Sequence, residues 1–401
     1  MKAIRVVGAM LALALGAAIP AAGAAEQAEP VQSDNVKHIY NDQYFSGTEL
    51  AASGKYVYTG QMDGGEGAHR GASPEDGGVH IYDVSGKAPK KVGFLHCPGN
   101  DNDVEVVKPG LIVVSFATNK CAPQAGNGLM TVDVRNPKKP KILGSINTGK
   151  NHTHKPYPGT NLIYTAGGGL SGGPNAGPAI VDVSNPKKPE VVAKPKTLTT
   201  DCHDISFSIS KGAKLAFCAG ASGTGEGQIL DVSDPLNPVA VSRIYNPVMQ
   251  YSHYAVASSD GSLLAIDDEA FAAHECATGN SPTGRVWIYN IENPALPTLM
   301  GSFAPPRGGG GQTAPVGQYA GWVESWCLSH GLDWEPGTHN VAVTWFTGGW
   351  SVINADGTVP TEVAHFQAED SQTYSTLWHN GKLYTNDAYR GMDAFEVKTP
   401  K

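Results

Sequence analysis

Four histidines recur at one step of a repeating chain: His154 in NHTHKP, His203 in DCHDIS, His253 in YSHYAV and His330 in LSHGLD. Neutral imidazole is a common ligand for transition metals, and imidazoles carried on rigid strands can converge on one ion. His152 lies two residues before His154, so on an extended strand it faces the same way. The segment IDDEAFAAHEC adds Asp268, Glu269, His274 and Glu275. The expected ligands are therefore His154, His203, His253 and His330, with His152 and Glu269 as further candidates and copper or zinc as the ion. Two other readings stand beside this one. A water-filled channel needs polar walls, and one ancestral histidine could have been copied as the units duplicated; or Glu269 and a histidine could perform metal-free acid–base chemistry.

Six cysteines offer a second chemistry. Cys202 and Cys218 flank an expected hairpin turn and could face each other across two strands; pairing the rest in order joins Cys97 to Cys121 and Cys276 to Cys327. Thiolate ligation is the alternative, since Cys202 adjoins His203 and Cys327 lies three before His330. An oxidising compartment favours disulfides.

Such residues need a scaffold, and the chain repeats one. An apolar run ending in an acidic or amide residue, then a turn and usually a proline, reads GGVHIYDVSGKAP, GLMTVDVRNPKKP, PAIVDVSNPKKP, GQILDVSDPLNP, RVWIYNIENPALP, GWSVINADGTVP and a truncated GMDAFEVKTP. The spacing of about forty to sixty-five residues is that of propeller repeats. The unit around residue 220 parses into four strands at 203–209, 214–219, 228–232 and 239–245, separated by turn signals. Its Asp-x-x-x-Pro segment is turn chemistry: the carboxylate accepts from turn N–H groups and proline stops the ladder. The last unit has three strands and no fourth, while residues 35–41 read as a lone fourth strand. The prediction is an all-β, seven-bladed propeller over residues 35–401, with four antiparallel strands per blade and a ring closed by an N-terminal strand near 36–40.

Composition narrows the partners. The balance of 29 basic against 37 acidic residues, a formal charge of -8, argues against nucleic acid and an anionic membrane. The glycine-rich stretches lack the strand–loop–helix setting and the lysine of phosphate loops, so no nucleotide or flavin is expected. Residues 1–24 read as a Sec-type signal peptide: Lys2 and Arg5, an apolar stretch at 6–19, and Ala22-Gly23-Ala24 before the cleavage point. Residues 25–34 read as a disordered segment, and no later stretch is long and apolar enough to span a bilayer. The expectation is a periplasmic or secreted protein.

IVDVSNPKKPEVV, its copies and the closing YTNDAYRGMDAFEV resemble the LVIVD-repeat family of secreted or surface β-propellers, over about residues 35–401. The resemblance implies a fold and carries no catalytic motif. The channel histidines are similar in kind to those of another propeller group, the selenium-binding proteins and methanethiol oxidases, some of which are proposed to use copper. That likeness implies a small-molecule oxidoreductase; a non-catalytic propeller binding an envelope protein or glycan is the alternative.

Overall fold

A computed structural model of the chain describes residues 29–63, 73, 76–97, 99–100, 103–116, 118–119, 121, 128–149, 151–166, 178–195, 202–210, 212–220, 226–269, 284–307 and 327–400. The expected signal peptide lies outside the described residues, as do Cys276, His274 and Glu275. Seven antiparallel sheets follow one another along the chain, numbered here as blades 1 to 7. Blade 4 is representative, with strands Cys202–Ser210, Ala213–Gly220, Glu226–Asp231 and Val239–Tyr245 in simple up-and-down order. The first strand is innermost and the fourth lies at the outer edge.

Each blade alone would leave two apolar faces in water. Stacking resolves this: seven hydrophobic clusters fill the seven gaps between neighbouring blades. The gap that closes the ring joins Leu50, Val57 and Tyr82 of blade 1 to Tyr384, Met392 and Ala394 of blade 7. The N-terminal strand Val36–Asp42 completes blade 7 by pairing with Gly391–Val397. It takes the same irregularity as the other outer strands. A register shift falls between His38 and Tyr40, as one falls between Ile229 and Leu230 in blade 4 and between Ile288 and Tyr289 in blade 5. Ordered pairing begins earlier than expected. Val31–Gln32, within the stretch read as disordered, adds a fifth strand to blade 6 against Phe366 and Gln367.

The repeated acidic or amide residue does what its turn requires. Asp83, Asp133, Asp182, Asp231, Asn290 and Asn354 each accept from the backbone N–H two residues on, at 2.7–3.2 Å. These turns also lock the blades together. A Cβ on Gly93 would stand 1.7 Å from the Pro137 carbonyl oxygen of the next blade, and one on Gly144 would stand 2.7 Å from that of Pro186. Only glycine admits this approach, and the Thr131 hydroxyl reinforces it by donating to the Pro186 oxygen at 2.5 Å.

Cys97–Cys121 and Cys202–Cys218 are disulfides, with Cα–Cα distances of 5.7 and 5.0 Å, so Cys202 is not a thiolate ligand. Cys327 is also disulfide-bonded. Cys202–Cys218 closes a loop of 16 residues on the strand that carries His203, a constraint that stabilises the fold by about 3 kcal/mol. Replacing both cysteines by serine is expected to lower the melting temperature by several degrees without loss of β-sheet circular dichroism. An unchanged melting temperature would show that the bond constrains nothing.

Candidate metal centre

Successive blades present the first residues of their innermost strands around the central axis, on the face where the second strands end. At this level sit His152, His203, His253, His330 and Tyr374, one each from blades 3 to 7. Their rings run in sequence around the axis, with centroid separations of 4.7, 4.1, 4.2 and 4.0 Å. Register shifts aim several of these side chains. In blades 4, 5 and 7 they fall between Cys202 and Asp204, Ser252 and Ala255, and Thr373 and Ser375, inserting His203, His253 and Tyr374 as bulge residues.

This register corrects the sequence alignment. His152, not His154, occupies the shared position in blade 3. His154 sits two residues deeper, opposite Thr165, with its N–H donating to Asp103 at 2.8 Å and its Nδ1 3.2 Å from the same carboxylate. It does not join the other imidazoles. The cause is local: blade 3 pairs Thr153 directly with Ala166 and has no bulge here, so its strand runs ahead of its neighbours.

Two overlapping groups have ligand atoms within 4.8 Å of one another: His152, His203 and His253; and His253, Glu269 and His330. Glu269 Oε2 lies 3.4 Å from His253 Nε2, and its Oε1 lies 3.8 Å from His330 Nε2. The other ring nitrogens face backbone. His253 Nδ1 is 3.2 Å from the His330 carbonyl oxygen, and His330 Nδ1 is 2.8 Å from that of Tyr374. A donated Nδ1–H fixes the tautomer and leaves Nε2 as the lone-pair donor, the arrangement that orients histidine ligands in metal sites. His203, His253 and His330 are buried, unlike the polar walls of a water-filled channel, the alternative reading of these residues. Burial, reinforced by neighbouring imidazoles, holds His203 and His253 well below the usual histidine range, so both are neutral. Burial pushes the Glu269 carboxyl up to about 8. Asp268 is not available as a ligand in the same way: its carboxylate accepts from the backbone of Gln250, Tyr251 and Gly284 at 2.8–3.0 Å and pins the loop that carries Glu269.

Beneath the imidazoles lies an acidic layer that sequence reasoning did not identify. Glu49, Asp103 and Asp204 lie at the next level inward, close to a half-buried ion pair between Lys155 and Glu105. Burial and Asp103 raise the Glu49 carboxyl; burial raises those of Asp204 and Asp333 to about 7. Burial opposes the Lys155 ammonium, but Glu105, Asp204 and Asp103 together hold it above the usual lysine value. Between the two layers is a cavity of about 20 Å³, the size of one water or ion, lined by Glu49, Asp103, His152, His253, Tyr254 and Tyr374 among others. A larger cleft of about 540 Å³ lies on the opposite face around His339, whose ring is already bracketed by Asp260 and Asp356 at 3.4 and 2.6 Å. Among the described residues it contains no group of three convergent ligands.

These groups set opposing pH dependences. Asp204, Asp333 and Asp387, raised to about 7, and Glu269 bind more protons folded than unfolded above about pH 4, so their contribution falls as pH rises to about 8. His154, pushed down to about 4, and His80, pushed down to about 2, remain neutral when folded and protonate near pH 6.5 when unfolded. Stability therefore drops as pH falls below about 6.5 on their account. Metal-free protein is expected to melt lower at pH 8 than at pH 6.5, with Asp333→Asn flattening that decline. Thermal melts that rise between pH 6.5 and 8 would contradict the assignment.

A model of the LVIVD repeat matches residues 124–148 and 175–197, the third and fourth strands and intervening turns of blades 2 and 3. No curated protein matches the chain. Among solved structures, the chain is similar to the β-propeller domain of Myceliophteria thermophila Cps50 (Swd1), with a TM-score of 0.57 at 11% identity over 90% of this chain and 99% of that one. Saccharomyces cerevisiae Sqt1 is similar with a TM-score of 0.52 at 10% identity, over 89% and 87% of the two chains. Likenesses at this identity concern the fold.

Proposed function

We propose that this protein is an exported propeller that holds one transition-metal ion, copper in preference to zinc, at the axial histidine layer and uses it in the oxidation of a small molecule. The observation that carries the reading is the convergence of two groups that share His253, one of His253, Glu269 and His330 and one of His152, His203 and His253, each within 4.8 Å, with His253 and His330 held at Nδ1 by neighbouring carbonyls. His203, His253 and His330 would supply neutral nitrogens, Glu269 an oxygen, and His152, the half-buried member, a further nitrogen on the open side. Imidazole-rich sets suit copper and zinc alike. Bound copper would polarise a substrate and pass its electrons to an external acceptor such as dioxygen. The protein's own part is to exclude water through Tyr251 and Tyr374, which pack beside His203 and His330. Two disulfides support residence in an oxidising compartment, in keeping with the leader read at residues 1–24.

Protein purified without a histidine tag is expected to bind about one equivalent of Cu(II), with nitrogen hyperfine structure in its electron paramagnetic resonance spectrum. His203→Ala combined with His253→Ala should abolish this, while His154→Ala should leave the stoichiometry unchanged. Protein that stays metal-free under copper and zinc titration would overturn the proposal and return the chain to a non-catalytic envelope propeller.

A further inference from the structure

The turns between the third and fourth strands leave blades 1 to 6 on the face opposite the histidine layer, because strand direction alternates in the same order throughout. Their tips are chemically segregated. At matching positions, blades 1 to 3 carry Lys87, Lys138, Lys139, Lys187 and Lys188, all exposed. Blades 4 to 6 instead carry Leu236, Leu296 and Val359, which are 38%, 70% and 70% exposed. Of the five lysines only Lys188 is ion-paired among the described residues, with the exposed Glu190 at 2.7 Å. A chain of net charge -8 thus concentrates unneutralised positive charge on one arc and bare aliphatic tips on the next.

The tips are also held rigidly. The blade 2 turn lies against Gly93 of blade 1, and the blade 3 turn against Gly144 of blade 2. The Tyr164 hydroxyl of blade 3 donates to the Pro235 carbonyl in the blade 4 turn, and the Ser242 hydroxyl does the same to Pro294 at 2.6 Å. Six turns on one face of a disc form a preorganised surface, which loses little entropy on docking. Positive charge beside exposed aliphatic groups is the pattern that associates with anionic bilayers: lysines attract the headgroups while apolar side chains enter the interface. A soluble polyanion would use the lysines and leave the aliphatic arc without a role. Carboxylates also lie on this face: Asp234 accepts from Leu236 and Asn237, Asp260 and Asp356 bracket His339, and Glu292 is exposed in the blade 5 turn.

We infer that this face docks on an anionic lipid bilayer, with lysines of blades 1 to 3 on headgroup phosphates and Leu236, Leu296 and Val359 in the interface. The inference is independent of the metal, whose layer then faces away from the membrane.

Every described strand lies between Val31 and Val397, so the chain from residue 25 carries the whole ring and avoids the apolar leader. Sedimentation with phosphatidylcholine vesicles, with and without a one-third share of phosphatidylglycerol, tests it. Binding is expected only to the anionic vesicles and should weaken with salt. At about five-fold per lysine, glutamine at all five positions should weaken it by at least about a hundred-fold. Leu296→Ser with Val359→Ser should weaken vesicle binding while leaving polyphosphate binding alone. All substitutions are at exposed positions, and unchanged circular dichroism would confirm the fold. Failure to bind anionic vesicles, or binding that neither set alters, would overturn the inference; so would a vesicle affinity that follows polyphosphate affinity through both sets.

Discussion

Burial of both faces of every blade is the constraint on which the rest of the structure depends. A four-stranded antiparallel sheet with two apolar faces has no stable place in water, and an open row of them would leave its ends uncovered. Closure removes the problem by giving each blade two neighbours, and it is completed by Val36–Asp42, which supplies the outer strand that blade 7 lacks in sequence. The closing gap is packed as the others are, by Leu50, Val57 and Tyr82 against Tyr384 and Met392. Once the ring closes, the starts of the innermost strands have no freedom in where they point. They face one another across the axis.

The chemistry arises where this regular frame is locally broken. A register shift at the start of the inner strand places His203 and His253 on the axis, and the backbone carbonyl of the next blade orients the ring of His253, as that of Tyr374 orients His330. These two imidazoles are therefore positioned by a neighbour's main chain, and the layer is a property of the ring. Beneath it, the half-buried Lys155–Glu105 pair sits among carboxylates that burial keeps protonated more readily than usual. Neutral imidazoles above raised carboxylates make a region that loses little by accepting a cation. The opposite face differs in kind, since its turn tips vary freely in sequence without disturbing the proline and glycine contacts that hold them.

Much of this was legible in the chain. The strand boundaries of blade 4 fell within two residues of those read from turn signals, the closing strand was expected at 36–40, and Cys97–Cys121 and Cys202–Cys218 pair as their order suggested. Local rules suffice there: alternation, turn residues and an unpaired terminal strand. His152 and His154 could not be separated in this way, because both face the same side of an ideal strand and the choice between them rests on a bulge that blades 4 and 5 have and blade 3 lacks. Pairing partners decide bulges, and partners lie in another strand. The acidic layer was missed for a related reason. Glu49, Asp103 and Asp204 share no motif and become neighbours only across the axis.

The sequence by itself determined the number of blades, their strand order, the closure of the ring and the structural role of the repeated Asp and Pro, because each depends on contacts between residues close in the chain or on a period running through all of it. Only the tertiary structure decided that Glu269 meets His253 and His330, that His154 turns instead to Asp103, and that one face carries lysine beside bare leucine and valine. Those facts depend on distances between blades, which no single repeat encodes and which exist only once seven of them have closed.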